Sequence, residues 1–187
     1  MIQNFSTYIL CGGKSSRMGS EKGLVMYKGK TFIQRILEAV APVCDSIYLV
    51  TNNDDYVSYN YPLVSDAVPD KGPVGGIYTA LKHSSTPWNL ILSCDVPMLT
   101  TEVLQTYLLN ESPDTAITYL SDGRKNSPLI GLYSQHLVGN FEQALRKDHL
   151  KLLDLIHLLP HSQVTVKPEE AYAIQNINTP TELNHLK

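Results

Sequence analysis

Cysteine is scarce in this chain of 187 residues, where Cys11, Cys44 and Cys94 lie far apart in the sequence. An odd number of cysteines without close pairing argues against a disulfide framework. The sequence also contains no Cys-x-x-Cys motif, which a structural zinc site commonly uses. We therefore expect a fold that depends on its hydrophobic core rather than on disulfides or structural zinc.

Excess charge and long apolar runs are also lacking. The formal net charge is −3, and no clustered basic face is evident that would suit nucleic acid or an anionic membrane. No apolar stretch approaches the roughly 20 residues that a membrane-spanning helix needs. The N-terminal residues lack the basic and apolar regions of a signal peptide. We expect a cytoplasmic protein without nucleic-acid or membrane partners.

The length and composition are ordinary for a globular protein, with 43% hydrophobic and 18% charged residues. A domain of this size buries roughly 70% of the surface that its unfolded chain exposes. No linker, repeat or low-complexity tract divides the sequence. We therefore expect a single domain over residues 1–187, and the sequence leaves its oligomeric state open.

Strand-like and helix-like patterns alternate along the chain. Strands are predicted at residues 6–10, 46–51, 61–65, 90–92, 116–120 and 128–133. Helices are predicted at residues 32–40, after Gly75 and Gly76, after a cap at Thr100 or Thr101, at residues 137–147 and 150–159, and after a cap at Thr179. This alternation predicts an α/β fold with a doubly wound, mostly parallel sheet and helices on both faces.

The loop after the first predicted strand is rich in glycine and positive charge. It contains Gly12 and Gly13, and Arg17 and Lys22 flank Gly19. Such loops bring backbone N–H groups close to phosphates. The spacing matches neither a P-loop nor a Gly-x-Gly-x-x-Gly dinucleotide motif. We predict a phosphate-binding loop of another kind; the alternative is a tight surface turn with solvated cations.

Polar residues follow several predicted strands at the point where each strand ends. Asn52 and Asn53 follow the second strand, Asp66 follows the third, and Asp95 follows the apolar strand at residues 90–92. The carboxyl ends of parallel strands form the ligand-binding edge of such sheets. We expect these side chains to gather there, although each also suits an ordinary turn.

Seven segments, spread in order over nearly the whole chain, carry a family resemblance. They are Leu10-Cys11-Gly12-Gly13, Arg17-Met18-Gly19 followed by Lys22, Asp66, Gly72-Pro73-Val74-Gly75-Gly76, Cys94-Asp95-Val96-Pro97, Pro128-Leu129-Ile130-Gly131-Leu132-Tyr133 and Asn176-Ile177-Asn178-Thr179-Pro180. Together they resemble the molybdenum cofactor guanylyltransferase family, within the nucleotidyltransferases of Rossmann-like fold. Cys11 stands where the family has alanine, a substitution between small residues at a position that offers mainly backbone.

The resemblance implies a role for each matching residue. It makes Lys22, Arg17 and Asp95 catalytic, with Asp95 the ligand of Mg²⁺. It implies nucleotide binding by Leu10, Cys11, Gly12, Gly13, Lys22, Asp66 and Asp95, and the strand-end position adds Asn53 as a further nucleotide-binding candidate. It places Asn176 and Asn178 near the acceptor pterin, with local hydrogen bonding before a helix cap as the alternative.

The function implied by the resemblance is transfer of GMP from GTP to the molybdopterin-type molybdenum cofactor, with release of pyrophosphate. Other proteins of cofactor biosynthesis or molybdoenzyme maturation are further candidate partners. The alternatives are a related nucleotidyltransferase that uses CTP or a sugar-phosphate acceptor, and a non-catalytic nucleotide-binding adaptor. The sequence leaves the choice between guanine and cytosine open.

Overall fold

Within the part of the chain that the computed structural model describes, residue 2 and residues 4–12, 21–110 and 113–185, seven strands form a central sheet. The strands of the molecule are β1 (Phe5–Leu10), β2 (Met26–Tyr27), β3 (Lys30–Thr31), β4 (Ile47–Val50), β5 (Leu63–Val64), β6 (Trp88–Ser93), β7 (Ile117–Ser121), β8 (Asn126–Ser134) and β9 (His161–Thr165). The central sheet has the order β5-β4-β1-β6-β8-β7-β9, and β2 pairs with β3 in a separate hairpin. Among the described strands of the central sheet, only β8 runs antiparallel to its neighbours, so the mostly parallel sheet is confirmed.

Helices lie on both faces of the sheet, as predicted. The α-helices are α1 (Phe32–Val40), α2 (Gly72–His83), α3 (Thr101–Leu104), α4 (Val138–Arg146), α5 (Leu152–His157) and α6 (Pro180–His185). Short 3₁₀-helices span Lys22–Leu24, Asp54–Tyr59, Gln135–Leu137 and Pro168–Ile174, and a π-helix at Gln105–Leu109 continues α3. No helix among the described residues is long and apolar enough to cross a bilayer.

Two hydrophobic layers separate the helices from the sheet. Ile9 and Leu92 point to the face covered by α1 and α3. Their neighbours Tyr8 and Ile91 point to the face covered by α2, α4 and α5. Because both faces are buried, β1 and β6 each contain a continuous apolar run, at residues 8–10 and 90–92, rather than an alternation of apolar and polar residues.

Local sequence signals place the ends of two helices correctly. Thr31 and Gln34 form the predicted capping box at the start of α1, with both reciprocal hydrogen bonds present. At α6, the hydroxyl of Thr179 accepts from the backbone N–H of Glu182 at 3.1 Å, and Glu182 accepts in return from the N–H of Thr179. These side chains satisfy N–H groups that a helix start leaves without partners.

The predicted start of the second helix is wrong. Helix α2 begins at Gly72, so Gly75 and Gly76 lie inside it. A Cβ on Gly76 would approach the side chain of Leu10 to 3.1 Å, and one on Gly75 would lie 3.2 Å from the carbonyl of Val68. The glycines therefore allow close packing of α2 against β1 and the preceding loop, rather than a turn before the helix.

Some elements escape the sequence prediction. Strand β9 carries the mostly polar sequence at His161–Thr165 and pairs in parallel with β7. The 3₁₀-helix at Pro168–Ile174 also follows no clear periodic pattern. Both are formed by tertiary pairing and packing, which local propensity does not encode.

Candidate active site

A cleft of ≈ 520 Å³ opens at the carboxyl ends of β1 and β6, the edge where ligands bind in open α/β sheets. Six predicted site residues line it: Leu10, Cys11, Gly12, Lys22, Asp66 and Asp95. The sequence separates these residues by up to 85 positions, and the parallel topology brings them together. Their functional roles stay predictions.

Lys22 and Asp95 form the charged centre of this cleft. The ammonium of Lys22, in the 3₁₀-helix Lys22–Leu24, lies 3.3 Å from Asp95 Oδ2. It also donates to Oδ1 of Asn178, and the amide of Asn176 donates to Asp95 Oδ2 at 3.3 Å. The two asparagines predicted to meet the acceptor therefore contact the catalytic candidates directly.

Asp95 is held by its backbone as well as by its side chain. Its carbonyl accepts from the N–H of Ile177 at 2.8 Å, which joins the loop after β6 to the segment before α6. The carboxylate is largely buried, yet its Oδ1 atom has no hydrogen-bond partner among the described residues. A buried carboxylate oxygen without a partner is costly unless a cation or ligand completes its coordination.

Asp66 follows the end of β5 and lies close to Gly12. A Cβ built on Gly12 would lie 3.7 Å from its Oδ2 atom, and its backbone N–H donates to the side chain of Asn52 at 3.1 Å. Partial burial raises the pKa of the Asp66 carboxyl. The neighbourhood therefore favours a ligand that can donate hydrogen bonds to this carboxylate.

Asn53 is not among the residues that line the cleft. Its side chain accepts from the N–H of Asp55 at 2.9 Å and caps the 3₁₀-helix Asp54–Tyr59. This arrangement corresponds to the turn alternative, and nucleotide binding by Asn53 stays a prediction. The helix that it caps carries Tyr56 into the core beneath the cleft.

A group of buried and partly buried polar side chains adjoins the cleft. Cys11 and Cys94 follow β1 and β6 at paired positions, and burial together with Cys94 raises the pKa of the Cys11 thiol. Tyr56 donates to Glu21 at 3.3 Å, and its hydroxyl would clash with a Cβ on Gly23. A buried thiol with a raised pKa is a poor nucleophile, so Cys11 acts as a small packing residue.

Two parts of the prediction lie outside the described residues, namely Gly13 and Arg17. Conversely, sequence reasoning missed Glu21, Lys71 and Ser93, which also line the cleft. Glu21 could have been found from its position beside Lys22. Lys71 and Ser93 carried no signal, because they reach the cleft through the packing of α2 and β6.

Comparison with known proteins decides the family. A family model described as the MobA-like NTP transferase domain matches residues 7–162. The chain belongs to this family. A relative from Flavobacterium johnsoniae, named probable molybdenum cofactor guanylyltransferase, is 44% identical over 185 residues, which cover 99% of this chain and 97% of that protein. The resemblance inferred from the sequence motifs is confirmed.

Solved structures support the same assignment. Molybdopterin-guanine dinucleotide biosynthesis protein A from Archaeoglobus fulgidus is 25% identical, with a TM-score of 0.80 over 96% of this chain and 95% of that chain. A crystal structure of a protein from Aquifex aeolicus is 30% identical, with a TM-score of 0.81 over 94% of both chains. The α/β fold of a Rossmann-like nucleotidyltransferase is therefore confirmed over nearly the whole chain.

A second cavity of ≈ 440 Å³ adjoins the cleft of this family member. The two share Pro73, Ser93 and Leu129 in their walls. Asn176 lines the second cavity while its amide contacts Asp95 in the first. Two substrates bound in these cavities would therefore meet beside Asp95.

Proposed function

We propose that this protein transfers GMP from GTP to the molybdopterin-type molybdenum cofactor and releases pyrophosphate. The observation that carries the proposal is the contact of Lys22 with Asp95, at 3.3 Å, in a cleft that adjoins a second cavity. A family of NTP transferases and a relative named for guanylyl transfer to this cofactor support the choice of reaction.

Asp95 fits the role of magnesium ligand. In the described part of the chain, no three acidic, histidine or cysteine side chains are grouped closely enough to hold a metal ion by themselves. Mg²⁺ is commonly bound by one or two carboxylates together with phosphate oxygens and water. The unpartnered Oδ1 of Asp95 is a suitable donor, and the bound ion would neutralise phosphate charge.

The residues of the chain contribute mainly position and charge. A phosphate oxygen of the acceptor attacks the α-phosphorus of GTP, and the bond to the leaving pyrophosphate breaks. Lys22 would stabilise the charge that grows on the pyrophosphate oxygens, and the backbone at Gly12 would approach the triphosphate closely. Such a reaction needs no nucleophilic side chain.

We assign the first cavity to GTP and the second to the acceptor. The second cavity combines apolar walls, including Val96 and Leu152, with Lys125, Lys151 and Asn176. Apolar surface suits a flat pterin, and lysines suit its phosphate. Lys22 and Asn176 come from opposite ends of the chain and both contact Asp95, so we also propose that residues 1–187 act as one domain. We further propose that this domain acts in the cytoplasm.

A nucleotide panel tests the proposal. Thermal unfolding is measured with GTP, CTP, ATP or UTP in the presence of Mg²⁺, followed by assay of pyrophosphate release with the molybdopterin-type cofactor. A ligand at 100 times its dissociation constant stabilises the native state by about 2.7 kcal/mol. We expect the largest stabilisation with GTP and product only when the acceptor is present. Stronger stabilisation and turnover with CTP would overturn the guanine assignment.

A further inference from the structure

Two side chains hold the ammonium of Lys22, and one of them comes from the C-terminal part of the chain. Among the described residues, the contacts of this ammonium are Asp95 Oδ2 at 3.3 Å and the side-chain oxygen of Asn178. An ammonium has three N–H donors, and these contacts engage two of them. The third N–H can therefore donate to a phosphate oxygen without loss of either contact. We propose that Asn178 is a positioning residue, which fixes Lys22 toward the triphosphate; this inference rests on the proposed function.

Asn178 is itself fixed in place. Its backbone N–H donates to Glu182 at 2.6 Å, and this hydrogen bond lowers the pKa of the Glu182 carboxyl. The preceding Ile177 is buried against Tyr27 and Phe32, and its N–H donates to the carbonyl of Asp95. The backbone at Ile177 and Asn178 is thus anchored to both the start of α6 and the loop after β6, which limits the positions open to the side-chain oxygen of Asn178.

A neutral acceptor suits this position for a physical reason. Lysine has a long, flexible side chain, so an unrestrained ammonium loses considerable rotamer freedom when it binds phosphate. The amide oxygen of Asn178 restrains Lys22 without cancelling its positive charge. Without this second acceptor, the ammonium would be drawn further toward Asp95, where it would compete with a cation for the carboxylate.

A double-mutant cycle of Lys22 and Asn178 tests the inference. Binding of GTP and of GMP, with Mg²⁺ and without acceptor, is measured by calorimetry for wild type, Asn178→Ala, Lys22→Ala and the double variant. We expect Asn178→Ala to weaken GTP binding about tenfold, the size expected for a hydrogen bond to a charged group, and to leave GMP binding nearly unchanged. In the Lys22→Ala background, Asn178→Ala should change GTP affinity by less than about twofold.

The controls separate this role from simple contact with the acceptor. Asn140→Ala, at an exposed position on α4, should leave GTP binding unchanged. Asn178→Asp keeps an acceptor oxygen but adds a negative charge, and it should restore the position of Lys22 while lowering the transfer rate. Equal effects of Asn178→Ala with and without Lys22, or no effect on GTP binding, would overturn the inference.

Failure of the proposed function would look different. A wild-type protein that prefers CTP would overturn the guanine assignment, and the same cycle would then be measured with CTP. The base does not enter the contact between Asn178 and Lys22, so coupling in that cycle would still support the inference. Additive effects in the cycle with CTP would overturn it.

Discussion

Asp66 is a half-buried carboxyl group whose charge destabilises the fold. Burial raises its pKa in the native state, so the native state binds more protons than the unfolded state between the ordinary aspartate pKa and the raised one. Its contribution to stability therefore falls as the pH rises from the ordinary aspartate pKa through the raised one. This loss of stability is expected of a residue with a binding role, in which the ionised carboxylate of Asp66 contacts a nucleotide.

Asp66→Asn should raise the midpoint of thermal unfolding at neutral pH. Because solvent screens the half-exposed group, the increase should not exceed about 2–4 °C. GTP affinity should fall about tenfold, since a charged acceptor is lost. Unfolding curves over a pH series measure the first effect and calorimetry the second. Asp45→Asn, at an exposed site, should change neither; a destabilised Asp66→Asn protein would contradict the account.

Individual site residues could be predicted from the sequence where they follow a strand or belong to the glycine-rich loop. Lys22 and Asp95 lie in one cleft because each follows a buried parallel strand in the chain, directly or after a loop. Asn53 also follows a strand, yet its side chain caps a 3₁₀-helix instead. Asparagine suits both settings, so position at a strand end does not distinguish a ligand contact from a cap.

At the scale of elements, the 3₁₀-helix Asp54–Tyr59 supports the segment that carries Lys22. Tyr56→Phe removes only the hydroxyl that donates to Glu21 at 3.3 Å. We expect a loss of about 0.5–1.5 kcal/mol in stability and a several-fold lower kcat, because Glu21 precedes Lys22. Denaturant unfolding and single-turnover rates measure the two effects.

Tyr59→Phe is the matched control on the same 3₁₀-helix. Its hydroxyl is hydrogen bonded to Thr31 at 2.9 Å, at the start of α1 rather than beside Lys22. A comparable loss of stability with an unchanged kcat is expected. If both tyrosine variants slow transfer equally, the role of Tyr56 is general to the fold and not directed at Lys22.

Two glycines in different elements should respond oppositely to alanine. In β8, a Cβ on Gly131 would lie 2.7 Å from the carbonyl of Thr118, so Gly131→Ala should cost about 1–3 kcal/mol. In α4, apart from its chain neighbours and its own helix backbone, no heavy atom of the described residues lies within 4 Å of a Cβ on Gly139, and Gly139→Ala should stabilise by about 0.4–1 kcal/mol. Denaturant unfolding decides both; a stabilised Gly131→Ala protein would contradict the packing described for β8.

Elements with local signals were predictable, and those without them were not. The two residues of each capping box, at the starts of α1 and α6, are only three positions apart, so the sequence alone marks these helix starts. From the sequence, the glycines of α2 were predicted to form a turn before the helix. Their structural role is close packing against Leu10, which lies in a strand far away in the sequence. Strand β9 depends on pairing with β7, more than 40 positions earlier.

For the whole molecule, the βαβ alternation was sufficient to predict the fold class, because parallel strands with right-handed crossovers leave few alternative arrangements. The sequence predicted that the site lies at one edge of the sheet, but it did not predict which side chains contact one another there. The segment at Asn176–Asn178 returns to Asp95 from the far end of the chain, and no local pattern requires that contact. The single-domain organisation stays a prediction.

The stability of the whole molecule should depend jointly on GTP and Mg²⁺. If Asp95 holds the ion through its unpartnered Oδ1, GTP should stabilise the protein by several degrees with Mg²⁺ and much less with a chelator. Asp95→Asn keeps the shape but removes the charge, so its response to GTP should not change when Mg²⁺ is removed. Its transfer rate should fall at least ~100-fold, the order lost with one electrostatic stabiliser. Thermal unfolding and pyrophosphate release measure these effects, and near-normal release by folded Asp95→Asn would remove Asp95 from the mechanism.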